Sequence, residues 1–369
     1  MHKVLIISGT PIVSGAEYVL GDYLENTQYK KNIQIIHSDI QKVGDFYKKF
    51  EVDKIYSSKY LNPAGVVNNK LAALKKIFNL AASFFDFFKV FKNKKIKLTV
   101  GNNTGDVVYS FYSHFFGKKH INFVHDILDK DMLLAKTVLL FDKYVSEYIA
   151  VSQAVKDSMV KIGINENKIN VIYNGLNSNE SFLEKDIKNE IIFGFVGNIE
   201  ERKNPLEFIE FIKTAQNILR IKIKGYMVYG NIIDKNLFKK IKKEIKRSEL
   251  DIELIENIPR EKMANFYEKI HYLVVTSKKD PFPTVILEAF NNGVPVIGHN
   301  IDGIKEMIEN DNNGFLYDSK NDFEKILRNL ENITYEKFQK NSWLTIRNKF
   351  SLSKRIKTID KLLFEKGVS

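Results

Sequence analysis

Tyr272-Leu273-Val274-Val275-Thr276-Ser277-Lys278-Lys279-Asp280-Pro281-Phe282-Pro283-Thr284-Val285-Ile286-Leu287-Glu288-Ala289-Phe290, with Gly293-Val294-Pro295-Val296-Ile297 just beyond, is the most informative stretch of the chain. An apolar run ends near Thr276 and a Pro-punctuated loop follows. A helix opens around Pro283 or Thr284, since Thr can cap and Pro suits the first helical position. Pro295–Gly298 then reads as the next strand. Strands this apolar on both faces belong in parallel sheets covered by helices. Asp280 falls on the loop and Glu288 one turn into the helix, at the carboxyl end of a parallel strand, where open α/β sheets bind ligands. The free amides of the helix start can face an anion. Taken alone, the stretch also fits a strand, loop and helix with two ordinary surface acids.

The same alternation extends outward. Short β-branched runs at Val4–Ser8, Ile33–His37, Asp106–Tyr109, Ile121–His125, Tyr148–Ser152 and Asn170–Tyr173 read as strands of a first half. Ile191–Val196, Ile221–Val228, Ile252–Ile255, Tyr272–Thr276 and Pro295–Gly298 read as strands of a second. Helix-length amphipathic stretches separate them, so the fold class is α/β, with two doubly wound, Rossmann-like domains. A chain of 369 residues is too long for one compact core and fits two. The polar run Asn177-Ser178-Asn179-Glu180-Ser181, followed by Glu184–Glu190, is the linker candidate, near 176–188. The domains are then 1–176 and 189–345, with 346–369 as a terminal amphipathic helix. Leu352, Ile356, Ile359 and Leu363 share one helical face there, and that helix suits either domain.

Composition narrows the chemistry. Hydrophobic residues make up 44% and charged residues 28%, enough for real cores and too ordinary for general disorder. Cysteine is absent, which excludes disulfides and Cys-based metal or nucleophile chemistry. No apolar run approaches the roughly 18 residues a membrane span needs. Val4-Leu5-Ile6-Ile7 is interrupted at once by Gly9, Pro11, Ser14 and Gly15, so it reads as a first strand rather than a signal peptide. The expected location is the cytoplasm. Lys and Arg number 57 against 45 Asp and Glu, a net charge of +12 with pI about 9.3. That balance suits an anionic partner, nucleic acid or an acidic membrane face, or simply solvated Lys-rich surfaces.

Three further segments carry candidate chemistry. Phe193-Gly194-Phe195-Val196-Gly197-Asn198-Ile199-Glu200-Glu201-Arg202-Lys203-Asn204-Pro205 ends a strand in glycine and sets two cations at the entry to a helix that Pro205 can start. Guanidinium and ammonium side by side suit a diphosphate, one bidentate and one a point charge; a solvated basic turn is the alternative. No G-x-G-x-x-G follows a strand, so this is not a dinucleotide fingerprint. Ser8-Gly9-Thr10 through Ser14-Gly15-Ala16-Glu17 is a Gly-rich loop after the first strand, with a helix start that again favours an anion. His125-Asp126 follows Ile121-Asn122-Phe123-Val124; a strand-end His can donate to a hydroxyl or steady developing charge, or be purely structural.

Together these segments resemble the retaining glycosyltransferases of the GT-B fold, family 4. The resemblance spans nearly the whole chain: Gly15-Ala16-Glu17, Ala150-Val151-Ser152, Val171-Ile172-Tyr173-Asn174-Gly175, Gly197…Arg202-Lys203-Asn204-Pro205, Asp280…Glu288-Ala289 and Gly293-Val294-Pro295-Val296-Ile297. It implies two domains facing a cleft and a nucleotide-sugar donor, UDP- or GDP-linked. Arg202 and Lys203 would hold the diphosphate, Glu288 the ribose and Asp280 the donor sugar, with His125 touching that sugar. Gly15 and the amides of Thr284 and Val285 would approach the phosphates. Asp280 stands where the family commonly has Glu, one methylene longer, and Pro283 stands where Gly is frequent. The implied chemistry is retaining transfer with no cofactor and no metal, the two cations stabilising the leaving diphosphate.

The acceptor is less legible. Lys75–Lys95 is Phe-rich, flanked by Lys and holds only Asp86 as an acid. It reads as an interfacial helix on anionic lipid, or as a domain helix with Lys at its ends. The first would place the protein at the inner membrane face, beside a lipid-linked or glycan acceptor in surface polysaccharide, lipopolysaccharide or glycoconjugate assembly. The rival functions are an enzyme making a small soluble glycoside and a non-catalytic basic binding protein. An acid pair beside a diphosphate clamp argues against the latter, and against nucleic acid as partner.

Overall fold

In the computed structural model, which describes residues 2–61 and 70–365, the chain forms two units. The first is Met1–Asn174 with Leu352–Ser369, and the second is Gly175–Ser351. The first contains β1 (Lys3–Ser8), β2 (Ile33–Ser38), β3 (Lys54–Ser58), β4 (Ile96–Gly101), β5 (Lys119–Val124), β6 (Glu147–Ala150) and β7 (Ile169–Val171). Their order is β3-β2-β1-β4-β5-β6-β7, every pairing parallel. The second contains β8 (Glu190–Ile199), β9 (Lys222–Ile232), β10 (Ile252–Glu256), β11 (Tyr272–Val275), β12 (Val296–His299) and β13 (Gly314–Tyr317), in the order β10-β9-β8-β11-β12-β13, again parallel throughout. Each sheet reverses its strand order once, between β1 and β4 and between β8 and β11. Crevices for ligands open at such reversals, beyond the carboxyl ends of the strands.

The apolar runs explain the layering. Val4 to Ser8, all of β2 and all of β11 are buried, as strands covered on both faces must be. In the second unit Phe193, Phe195, Phe208, Phe211, Tyr272 and Phe315 belong to one core. In the first unit the two faces have separate cores, one around Ile6, Leu24 and Ile35, the other around Leu5, Ile7 and Phe87.

Several elements differ from the sequence expectation. Asp106–Tyr109 is not a strand but part of the 3₁₀ turn Thr104–Tyr109. The turn forms because the Asp106 carboxylate accepts from the backbone N–H of Gly9 (3.0 Å) and of Asn103 (2.9 Å), which a strand could not offer. Strands β3, β4 and β13 were not anticipated; Lys54 in β3 and Lys97 in β4 break the apolar runs. The polar stretch 177–181 is fastened to the second unit rather than spanning freely. Asn179 N–H donates to Asn291 Oδ1 (2.9 Å), Asn291 Nδ2 donates to Asn177 O (3.0 Å), and Trp343 Nε1 donates to Asn179 O (3.1 Å).

The terminal helix runs Leu352–Asp360 and continues in the π turn Lys361–Glu365, whereas 346–348 finish the preceding helix, Tyr335–Asn348. Leu352, Ile356, Ile359 and Leu363 are all buried against the first unit's core, which settles the domain the helix covers. Its Asp360 accepts from Tyr23 Oη (2.8 Å) and Thr27 Oγ1 (2.7 Å). Residues 366–369 of the expected segment lie outside the described residues.

Candidate active site

In the second unit the predicted residues converge on the strand reversal. The β8 chain leaves through the 3₁₀ turn Glu201–Lys203 into the helix Pro205–Ile218, and the β11 chain leaves through the loop carrying Asp280. Asn204 sits between turn and helix at φ +51°, the left-handed region that Asn tolerates, and Pro205 begins the helix. The two loops are stitched together. Lys278 N–H donates to Arg202 O (2.8 Å), and Thr276 Oγ1 lies within donating distance of Lys203 O (2.9 Å) and Asn204 O (3.0 Å).

The charges follow from that stitching. Lys203 Nζ lies 2.6 Å from Asp280 Oδ2, and Ser277 Oγ donates to the same oxygen at 3.3 Å. Arg202 Nη1 is 3.7 Å from Asp280 Oδ2 and donates to Lys279 O (3.1 Å), while Nη2 pairs with Glu200 (2.9 Å). The Asp280 side chain is only 5% exposed, that of Lys203 16%, and that of Arg202 42%. Arg202 is thus the open cation and Lys203 the sheltered one. The Lys203 stem lies across Gly197, where a Cβ would come within 3.4 Å of its Cγ.

The helix Thr284–Asn291 opens where the sequence places it. Thr284 and Val285 are its first two residues, so their amides are among those a helix start leaves without an intrahelical acceptor. Glu288, one turn in, is half-buried and accepts from Tyr267 Oη at 3.0 Å. Tyr267 is buried, and burial together with the Glu288 carboxylate raises its pKa well above the usual range. Sequence reading missed Tyr267: it lies 21 residues before Glu288 on the short helix Met263–Tyr267 and carries no local signal.

A second omission is Asp302-Gly303. Asp280 N–H donates to Asp302 Oδ2 (3.1 Å) and Gly303 N–H to Asp280 O (3.1 Å), so this pair grips the Asp280 loop from behind. A Cβ on Gly303 would lie 2.0 Å from Pro281 O, an impossible approach to backbone. Gly303→Ala must therefore displace the loop. We expect a stability loss of about 1–3 kcal/mol, the overpacking scale, with a clear fall in ligand-induced stabilisation. A Gly303→Ala protein with unchanged melting behaviour in both respects would show that the loop is not so constrained.

The first unit has its own cluster at its strand reversal. Gly15 is the first residue of the helix Gly15–Asn26 and is exposed; a Cβ there would meet no protein atom within 4 Å, so internal packing does not demand glycine. Glu17 is fully buried and caps this helix, accepting from Ser14 N–H (3.0 Å) and Ser14 Oγ (2.6 Å). Asn102 and Asn103 donate to its other oxygen at 3.1 and 2.9 Å. The helix start expected to face an anion thus carries an internal carboxylate of its own. Asp106, fully buried beside it, is pushed up to about 7, chiefly by burial.

His125 follows β5, its backbone N–H donating to Thr104 Oγ1 (3.0 Å). Its Nε2 is buried without a hydrogen-bond partner, and the ring lines a cavity of about 20 Å³ with Asn102, Tyr23 and Arg355 of the terminal helix. Burial, with the Arg355 charge adding to it and Asp126 opposing, lowers its pKa to about 4, so the ring is neutral at neutral pH. In this conformation the Nε2 edge faces the interior of its own unit.

Residues 177–342, a stretch that lies within the second unit, match the family described as glycosyl transferases group 1. The lipopolysaccharide 1,6-galactosyltransferase of Escherichia coli K12 is 26% identical over 178 residues, 46% of this chain and 47% of that protein. The UDP-Gal:alpha-D-GlcNAc-diphosphoundecaprenol alpha-1,3-galactosyltransferase of Escherichia coli is 27% identical over 227 residues, 55% of each chain. Each of these matches therefore spans about half of the relative's length. The crystal structure of HepE of Anabaena in complex with UDP superposes with a TM-score of 0.79 at 17% identity, covering 98% of this chain and 100% of that one. The fold is GT-B, with a seven-stranded and a six-stranded parallel domain.

Proposed function

We propose that this protein is a retaining glycosyltransferase that moves a sugar, a hexose or a related unit, from a UDP- or GDP-linked donor. The acceptor is a glycan or a lipid-linked saccharide, in the assembly of surface polysaccharide, lipopolysaccharide or another glycoconjugate. The observation that carries the reading is the Lys203–Asp280 pair at the strand reversal, with Arg202 open beside it and Glu288 on the adjoining helix. Binding alone needs no sheltered acid against a cationic pair.

In this reading Arg202 and Lys203 take the diphosphate and stabilise charge on the departing nucleotide, the work a metal does elsewhere. Asp280 holds Lys203 in place before the donor arrives and meets the sugar once it is bound. Glu288, steadied by Tyr267, receives the ribose hydroxyls. The amides of Thr284 and Val285 meet phosphate oxygens. Gly15 contributes close backbone approach from the first unit. His125 presents its backbone, or its ring after a rotation, to the sugar. The galactosyltransferase names of the two relatives support a sugar transferred to a saccharide, and the UDP in HepE supports the donor class. Work on a lipid-linked acceptor would place the protein in the cytoplasm at the inner membrane face.

A melting-temperature screen over UDP, GDP and their sugars, with a short oligonucleotide as control, tests this directly. Stabilisation by one nucleoside diphosphate and its sugars is expected. Stabilisation by the oligonucleotide alone would favour the basic binding protein and end the enzymatic reading.

A further inference from the structure

The helix Lys70–Phe91 does two jobs at once. Its Phe87, Val90 and Phe91 are buried against Ile7, Ile96 and Tyr109, so that face is core. Phe85 is 68% exposed and Phe88 49%, on the opposite side. Beside them stand Phe115 (63%) on the helix Ser110–Phe115 and Leu140 (67%) on the helix Leu133–Phe141. Single exposed apolar residues are ordinary, but three neighbouring helices turning large apolar side chains outward are not. Between the helices runs an open groove of about 640 Å³, lined by Leu80, Phe84, Phe111, Leu140 and Tyr144 among others.

The rim is cationic. Lys75 and Lys89 are exposed on the first of these helices and Lys136 on the third, with Lys143 exposed in the turn just after it. Lys92 Nζ lies 5.6 Å from the Phe88 ring centre and Lys143 Nζ 4.9 Å from that of Tyr144, stems along the aromatics and charges outward. The acid within the helix, Asp86, is engaged by Ser58 Oγ at 2.7 Å. Among the described residues no helix is long and apolar enough to cross a membrane. Apolar side chains ringed by lysines match an anionic bilayer surface, which offers hydrocarbon below and negative headgroups above.

We propose that this three-helix face docks on an anionic bilayer, its groove receiving lipid acyl chains while the rim lysines meet the headgroups. A discrete soluble ligand would account for the groove but not for Phe88 and Phe115, exposed outside it. The inference deepens the reading above, since a lipid-linked acceptor is presented in such a surface. It also reassigns the work within Lys75–Lys95: Phe87 and Phe91 hold the fold, while insertion falls to Phe85 and Phe88 together with residues far outside that segment.

The test is flotation of the full chain with vesicles of phosphatidylglycerol and phosphatidylethanolamine, against phosphatidylcholine alone. Roughly tenfold or greater preference for the anionic vesicles is expected, lost in high salt. The exposed double variant Phe85→Glu/Leu140→Glu should fall to the neutral-vesicle level while keeping its melting temperature. Because the chain has no native cysteine, Phe111→Cys carries a unique polarity-sensitive label, which should report an apolar setting on anionic vesicles. Equal flotation with both vesicle types, or a label that stays in water on bound vesicles, overturns the proposal. So does a self-association that Leu140→Glu abolishes without change in flotation, since the face would then pair two copies. Stabilisation by UDP or GDP, measured on the same samples, reports the donor site separately; its absence alongside normal flotation defeats the transferase reading and leaves the docking surface standing.

Discussion

Lys203→Ala is expected to lower turnover by about 10²–10³-fold, the scale seen when one group that stabilises developing charge is removed. Nucleoside diphosphate binding should weaken by only about 1.5–3 kcal/mol, the range for a hydrogen bond to a charged group. Turnover suffers more because charge on the leaving diphosphate grows toward the transition state. The structure adds a second consequence. Asp280 is 5% exposed and Lys203 is its nearest cation, at 2.6 Å. Removing one member of a buried pair costs about 3–5 kcal/mol when nothing compensates. Here Arg202 remains at 3.7 Å and Ser277 still donates, so about 1–3 kcal/mol is the reasoned figure. Lys203→Ala/Asp280→Asn removes the stranded charge, so its melting temperature should recover while its turnover does not. Should the double variant regain turnover as well, Lys203 would be a structural counter-ion rather than part of the chemistry.

What the sequence disclosed and what it withheld divide along physical lines. The β11 strand, its loop and the helix from Thr284 were legible because burial on both faces, Pro punctuation and capping are all written locally. The position of Arg202 and Lys203 at a helix entry was legible for the same reason. Their partners were not. The Lys203–Asp280 bond joins residues 77 positions apart, and the Tyr267 grip on Glu288 spans 21. Gly303 looks like any loop glycine until Pro281 O is placed against it. In the first unit Asp106 misled because Val107, Val108 and Tyr109 have strand-like composition, yet the Asp106 carboxylate and the Gly9 and Asn103 amides favour a turn. The terminal helix announced its apolar face but not its destination, which depends on Tyr23 and Thr27 receiving Asp360.

The two carboxylates should separate in one experiment. Glu288→Gln is expected to weaken UDP or GDP itself by about 10–100-fold, the equivalent of about one charge-assisted hydrogen bond. A carboxylate accepts from two ribose hydroxyls, whereas an amide offers one acceptor oxygen and places a donor where a lone pair was needed. The Gln oxygen can still take the Tyr267 hydroxyl, so the amide is left to face the ribose and the fold should hold. Asp280→Asn should behave otherwise. It removes the charge that now engages Lys203, so the bare diphosphate should bind as well as before or somewhat more tightly. Turnover should nonetheless fall by about 10²-fold or more, because the lost contact matters once the sugar is placed for attack. Titrating both variants with the diphosphate by calorimetry, then following sugar transfer, gives four numbers from two proteins. If Asp280→Asn loses the bare diphosphate as badly as Glu288→Gln does, Asp280 serves the nucleotide and not the sugar.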